Sequence, residues 1–212
     1  MNRNHHSGTS LQRESSRTQG TQWADQLRFV YASTPREKRE IFNTRARNYR
    51  GEHSYLLTEL GGWDSFDDHS KLYCLMVGDR AVATCRLTAF GEAGWEASGV
   101  VPSSMLQFEP ERTVQISRVL VDREFRGKGL HLILFHHLCV AVQRETSYTH
   151  YFALCQERLM RLYRRVGALP LESPNILIPS RCARPYGLIF GEIAVTKEHL
   201  SALLPRLAAG TR

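Results

Sequence analysis

Lysine is scarce in this chain: of its 28 basic residues, 4 are Lys and 24 are Arg. Arginine forks match carboxylates and phosphates more closely than a point ammonium does. With 21 acidic residues the formal net charge is +7, open to being a solvated basic face, a docking surface for an acidic protein, an anionic-substrate site or a nucleic-acid footprint. No helix-turn-helix, zinc-finger or RNA-binding signature accompanies the charge, which argues against nucleic acid. No apolar run reaches 18 residues, so a membrane-spanning helix is excluded. The first 22 residues contain no apolar core of the kind a secretory signal needs. Paired cysteine spacing is also missing. Cys74, Cys85, Cys139, Cys155 and Cys182 are odd in number, lack any C-x-x-C, and each sits among apolar residues. They read as buried thiols in a reducing, cytoplasmic compartment, with no disulfide framework and no metal site.

What is present suffices for a core. Hydrophobic residues make up 42% and charged residues 23% of 212 positions, the composition of one ordinary domain. Residues 1–22 are polar, include His5 and His6, and read as a disordered tail without a metal role. Residues 23–212 form the domain. Leu27–Ala32 reads as a strand. Thr34-Pro35-Arg36-Glu37 opens a helix to about Tyr49, with Thr34 as cap and Glu37 three residues on. Lys71–Val77 and Ala81–Thr88 form a hairpin around Gly78-Asp79-Arg80. Gly91–Pro110 reads as irregular and Thr113–Val121 as a strand. Helices follow over Gly129–Gln143 and Gln156–Val166, the second closed by Gly167, with a strand at Tyr148–Cys155 between them. A last strand spans Leu188–Val195, and a short helix, Lys197–Leu204, stops near Pro205. That order is a mixed α/β (α+β) single domain.

The strongest chemical signal is Val119-Leu120-Val121-Asp122-Arg123-Glu124-Phe125-Arg126-Gly127-Lys128-Gly129-Leu130-His131. A strand ends, a basic glycine loop follows, and an amphipathic helix begins. The unpaired first N–H groups of that helix and its dipole make an anion site. Gly127 and Gly129 permit close backbone approach, and Arg126 and Lys128 add charge. This segment resembles the R/Q-x-x-G-x-G/A motif of the GNAT acyltransferase superfamily, with Arg126 and Gly129 in place and His131 standing where the family has a small residue. Leu162-Tyr163-Arg164-Arg165-Val166-Gly167-Ala168 resembles the superfamily's L-Y-x-x-x-G-F segment. The resemblance implies that Tyr163 protonates the departing thiolate, work for which a phenol near pKa 10 is suited. It also implies that the donor's phosphate sits on Arg126–His131 and its pantetheine amides pair with a splayed strand at Val119–Val121.

A third constellation runs through Arg45, Tyr49, Tyr55, Asp64, Asp67, Arg86 and Gln115-Ile116-Ser117-Arg118. Its order and spacing, over about residues 28–170, resemble the acyl-homoserine lactone (autoinducer) synthases and bacterial N-acyl amino acid synthases. Tyr49 replaces a Phe, Tyr55 a Trp and Gln115 a Glu. The resemblance implies a mixed, mostly antiparallel central sheet flanked by helices and an N-acyltransferase taking a fatty acyl group from an acyl carrier protein or acyl-coenzyme A. It also implies an amino-acid acceptor handled by this cluster, with no permanently bound cofactor. By period-two alternation Arg118 shares a strand face with Val114, Ile116 and Leu120. A guanidinium there needs a carboxylate, and Asp64 and Asp67 are the available partners for Arg86 and Arg118. Such a cluster either holds a loop on the sheet or shapes a pocket for an amino acid's charges. Gln115 cannot take a proton at pH 7. Water on backbone carbonyls, Glu111 or Glu124 are then the candidate bases. The competing readings are a lactone synthase using S-adenosylmethionine, an acetyl-coenzyme A transferase, and a non-catalytic module that binds a carrier protein.

Overall fold

The computed structural model describes residues 23–50, 54–58, 61–92, 94–171, 176–178 and 185–210, with backbone only at Tyr55 and 206–210. The tail expected at residues 1–22, Cys182 and the Tyr55 side chain lie outside the described residues.

Strand β1 (Leu27–Tyr31) leads into helix α1 (Pro35–Tyr49). The helix starts on a capping box. Thr34 Oγ1 accepts from the Glu37 N–H at 3.2 Å, and the Glu37 carboxylate accepts from the Thr34 N–H at 3.0 Å. Each bond satisfies a donor the helix cannot pair internally. Strands β2 (Lys71–Val77) and β3 (Arg80–Thr88) form the expected hairpin. Gly78 turns it at φ +58°, a conformation that disfavours a β-carbon. Then come β4 (Thr113–Val121), helix α2 (Leu130–Glu145), β5 (His150–Gln156), helix α3 (Glu157–Arg164), β6 (Leu169–Pro170), β7 (Tyr186–Glu192) and helix α4 (Ile193–Gly210). The sheet has seven strands in the order β1-β2-β3-β4-β5-β7-β6. The β4–β5 pair is parallel and every other neighbouring pair is antiparallel.

Two sequence expectations fail at the C-terminal end. Ile193 and Val195 open α4 rather than ending a strand, and the helix runs on through Pro205. A short apolar run is the same signal for a buried strand and a buried helix. Here Ile193, Thr196 and Leu200 are all buried at helical spacing, while Leu203 and Leu204 pack on the main core. Pro205 forfeits one backbone bond on an exposed turn, and the packing of α4 on α2 outweighs that loss.

The sheet is covered on both faces. On one, α2 and α4 bury Tyr73, Leu75, Cys85, Leu87, Val114 and Ile116 in the largest core. On the other, α1 covers Leu72, Cys74 and Met76, and the Trp95–Phe108 segment covers Phe152 and Leu188. Alternation along β3 then turns Thr84, Arg86 and Thr88, all buried, into the space between these two coverings. Cys74, Cys85, Cys139 and Cys155 are buried free thiols. Burial pushes the thiols of Cys74, Cys139 and Cys155 up to about 12. No described helix is long and apolar enough to cross a membrane.

Candidate active site

β4 and β5 pair only where Thr113–Gln115 meet His150–Phe152. Beyond that point the strands diverge and leave a cavity of about 340 Å³, the size of a small-molecule site. Ile116–Val121 of β4, Ala153–Gln156 of β5 and Tyr163 of α3 line it. Tyr49, Glu96 and Gln115 add to the wall near Arg118, and Arg126 and Arg158 also line the cavity.

The strand alternation breaks at Arg118. Arg86 is opposite Ser117, but Thr84 is opposite Leu120, so β4 carries one residue more than β3 across that interval. Arg118 absorbs the bulge at φ +54°, left-handed for a non-glycine residue. Val114 and Ile116 belong to the α2 face of the core, and beyond the bulge Val119 and Val121 pack on that same core. Arg118 is therefore not on the Val114–Ile116 face that strict alternation predicts. It turns to the opposite side and reaches Asp64.

There the expected cluster forms, with one more member. Arg45 Nη1 donates to both Asp67 oxygens, at 2.8 and 2.9 Å, and to the Gly62 carbonyl at 3.3 Å. Arg86 bonds Asp64, Asp67 at 3.2 Å and Ser117 Oγ at 3.1 Å. Arg118 donates to Asp64 at 2.6 Å. Glu96 pairs with Arg86 at 2.7 Å and with Arg118 at 3.3 Å. Burial works against the Arg118 charge, but Glu96 and Asp64 outweigh it and raise its pKa above the usual arginine value. Asp64 caps the short turn Ser65–His69, and Asp67 returns a bond to the Asp64 N–H. The aspartates thus shape their own turn while they neutralise the arginines. Of the residues in this constellation, Tyr49, Gln115, Ile116, Ser117 and Arg118 line the cavity; Arg45, Asp64, Asp67 and Arg86 stand behind its wall. Glu111 is exposed, and Glu124 is exposed and paired with Arg80 at 2.7 Å. Neither lines the cavity, which removes both as candidate bases.

The glycine loop is tied down differently. Asp122 accepts from Arg80 at 2.9 Å, Arg47 at 3.4 Å and the Glu124 N–H at 3.3 Å. Burial would raise its pKa, but these bonds prevail and hold it below the ordinary carboxylate value. Asn48 of α1 accepts from the Arg123 N–H at 3.0 Å. Gly127 and Gly129 take φ of +78° and +72°, and Gly129 caps α2 without a side-chain partner. The Leu132 and Ile133 N–H groups donate to the Gly129 carbonyl at 2.9 and 3.2 Å, so the N–H groups that the α2 N-terminus leaves without a partner inside the helix are those of Leu130 and His131. Arg126 donates to the Val121 carbonyl at 3.3 Å and remains exposed. Lys128 lies over the rings of Trp23 and Phe125, at 5.1 and 4.9 Å from their centroids, so its ammonium is partly engaged. Leu130 is buried in the core. His131 turns inward, with a buried Nε2 that has no partner among the described residues, and lines a small space with Val119, Phe135 and Tyr163. Burial lowers its pKa.

Tyr163 forms part of the cavity wall, edge-on to Phe135 at 6.0 Å. Its hydroxyl makes no hydrogen bond to a described residue, and burial raises its pKa above the ordinary phenol value. Sequence reasoning missed Glu96, Gln156 and Arg158. Gln156 lines the cavity with a buried Oε1 that lacks a partner among the described residues. Arg158 is exposed at its edge. Three arginines set against two aspartates did call for a third carboxylate, and that count is the signal that leads to Glu96. No cluster of metal-ligating side chains occurs among the described residues.

This arrangement, a sheet splayed between two parallel strands with a helix N-terminus beside the opening, is that of the GNAT acyltransferases. Solved structures share the fold. An acyl-homoserine lactone synthase described as coenzyme A-dependent, BjaI, solved with S-adenosylmethionine and isopentyl-CoA, superposes with a TM-score of 0.68 at 17% identity, over 86% of this chain and 89% of that one. The acyl-homoserine lactone synthase LasI gives 0.66 at 12% identity, over 83% and 94%. FeeM, an N-acyl amino acid synthase from uncultured soil microbes, gives 0.62 at 9% identity, over 84% and 97%. No curated protein matches the chain in sequence. The family described as N-acyl amino acid synthase FeeM matches residues 40–177. The chain belongs to that family and is an N-acyltransferase.

Proposed function

We propose that the protein transfers a fatty acyl group from an acyl carrier protein thioester to the α-amine of an amino acid, as a cytoplasmic enzyme. The observation that carries this reading is the splayed β4–β5 cleft with Tyr163 on its wall and a charged pair, Glu96 and Arg118, lining it near Gln115. The donor's pantetheine arm lies along Val119–Val121, where β4 has left β5 and exposes backbone groups. Its phosphodiester rests on the α2 N-terminus beside Arg126. The amine nitrogen attacks the thioester carbonyl, the carbon–sulfur bond breaks, Tyr163 gives its proton to the thiolate, and the amine's proton leaves to water. Burial, with no hydrogen-bond acceptor among the described residues, keeps that phenol protonated until the thiolate forms.

A carrier protein, rather than coenzyme A, suits the surface around the cleft. Arg158, Arg161, Arg164 and Arg165 are exposed and form no ion pair with a described residue. They lie on or just after α3, whose Leu159 and Tyr163 line the cleft, so an acidic partner is steered to its mouth. The test is incubation with long-chain acyl carrier protein or acyl-coenzyme A, the twenty L-amino acids and S-adenosylmethionine, with products identified by mass. N-acyl amino acid from the carrier-protein donor supports the reading. An acyl-homoserine lactone overturns the acceptor assignment, and turnover confined to acyl-coenzyme A overturns the donor assignment.

A further inference from the structure

Position 115 holds a glutamine where the motif it resembles holds an acid, yet the cavity beside it is not without a carboxylate. Glu96 lines the cavity together with Gln115 and Arg118. Its side chain is 9% exposed, with one oxygen 2.7 Å from Arg86 and the other 3.3 Å from Arg118. It arrives from the irregular segment between β3 and β4, as the first residue of the turn Glu96–Gly99. What fixes that turn is Gln115 itself. Its Oε1 accepts from the Ala97 N–H at 3.1 Å, with Gln115 only 1% exposed. The glutamine is thus a positioning residue, and the charge it lacks is supplied from the loop it holds. The neighbouring Trp95 anchors the same segment by packing edge-on to Phe152 at 4.9 Å and Phe90 at 4.8 Å.

We infer that Glu96 is the acceptor-binding carboxylate of this enzyme, seating the amine of the incoming amino acid while Arg118 beside it faces the acceptor's carboxylate. The inference rests on the function proposed above and names the part of the cleft that reads the acceptor. An amino acid carries a cation and an anion two bonds apart along its backbone, and Glu96 and Arg118 present the opposite charges side by side on one wall. Other charges packed around Glu96 do not duplicate its place. Asp64 and Asp67 sit behind the wall, committed to Arg45, Arg86, Arg118 and their own turn. Glu96 lies between two guanidiniums, at 2.7 and 3.3 Å, and holds the acceptor's ammonium as a partner in charge; that ammonium gives one proton to water before attack, and the nitrogen gives a second as the amide forms.

A role as mere counter-ion for Arg86 and Arg118 would make Glu96 structural. The two roles separate in a ratio. The wild type and Glu96→Gln are compared by calorimetric binding of L-phenylalanine, L-leucine and L-tyrosine and of the three corresponding des-amino carboxylic acids. Donor affinity and melting temperature are recorded beside them. The wild type is expected to prefer an amine-bearing ligand by about 10- to 100-fold, the worth of one hydrogen bond between charged groups. In Glu96→Gln that preference falls to within about threefold, because only the group facing the amine has changed. A general loosening of the cluster weakens both members of each pair alike. Retention of the wild-type preference in the variant, with donor affinity intact, overturns the inference. If Glu96→Gln does not fold, Glu96→Asp keeps the charge and withdraws it by one methylene, and the same ratio decides. Failure of the proposed function shows separately, as a wild type that acylates none of the twenty amino acids.

Discussion

The two ends of the cleft are built on opposite principles. Behind Arg118, Arg45 and Arg86 meet Asp64 and Asp67 in a closed network: the Arg45, Asp67 and Arg86 side chains are 0%, 1% and 0% exposed. At the α2 end, Arg126 is exposed, the loop glycines leave the backbone open, and the helix supplies unpaired N–H groups. The first region has spent its charges on itself and holds shape. The second leaves its donors exposed. Charged residues therefore predict opposite phenotypes at the two ends, stability at one and affinity at the other.

The largest effect expected is at the closed end. Asp67→Asn leaves Arg45 and Arg86 buried and underpaired and is expected to destabilise the fold by about 3–5 kcal/mol in urea unfolding. A loss under about 1 kcal/mol would mean that water enters the network and that the contrast with the open end is false. Tyr163 stands between the regions. Tyr163→Phe removes one hydroxyl and leaves the packing of Leu162 and Val166. Single-turnover transfer at saturating donor is expected to fall by about 10²–10⁴-fold, with the melting temperature little changed. Wild-type turnover in this variant would make Tyr163 a core residue and assign the proton to solvent.

At the open end, Arg126→Ala with Lys128→Ala is expected to weaken donor binding by roughly 10-fold and to leave stability nearly unchanged. Added salt is expected to weaken the wild type in the same direction. Lys128 contributes the smaller part, since two aromatic rings already engage it. Donor affinity indifferent to salt and to both substitutions would show that this loop is not the phosphate site. His131 yields a smaller effect, through pH. Burial lowers its folded pKa, so the unfolded chain binds a proton that the folded chain refuses. The stability from its neutral form is complete above the unfolded value near 6.5 and is lost as pH falls below it toward the lower folded pKa. His131→Gln is expected to lose less stability than the wild type between pH 7.5 and 5.5; equal losses would place His131 in contact with solvent. The smallest effect is Arg36→Ala, which breaks an ion pair with Asp79 whose side chains are 74% and 78% exposed. The change is expected to stay under about 1 kcal/mol by thermal melting.

Much of this was legible from residue order. The Thr34–Glu37 capping box, the Gly78 hairpin, the β4 span and the pairing of Arg86 and Arg118 with aspartates each follow from a local rule, and the structure shows each. The misreadings share a cause. Leu188–Val195 was ambiguous because a short apolar run suits two periods, and the contact of α4 with α2 decided between them. Strict alternation gives Arg118 the wrong strand face because it assumes an unbroken ladder, and a bulge of one residue reverses it. Nearness in sequence points to Glu111 and Glu124, while Glu96 lies 19 residues before Gln115 in a segment without periodicity.

By itself the sequence determined which residue types had to be present: a glycine-rich basic loop before a helix, a tyrosine at helical spacing, and arginines that could not be buried alone. Local propensity, periodicity and the cost of an unpaired charge act on neighbours along the chain and need no coordinates. Tertiary structure alone decided which carboxylate faces the cleft, which charges stand behind its wall, and that β4 leaves β5 after three paired residues. Those outcomes depend on strand register and on how a loop with no period of its own packs against the sheet. They are set by contacts between segments far apart in sequence, where spacing carries no information.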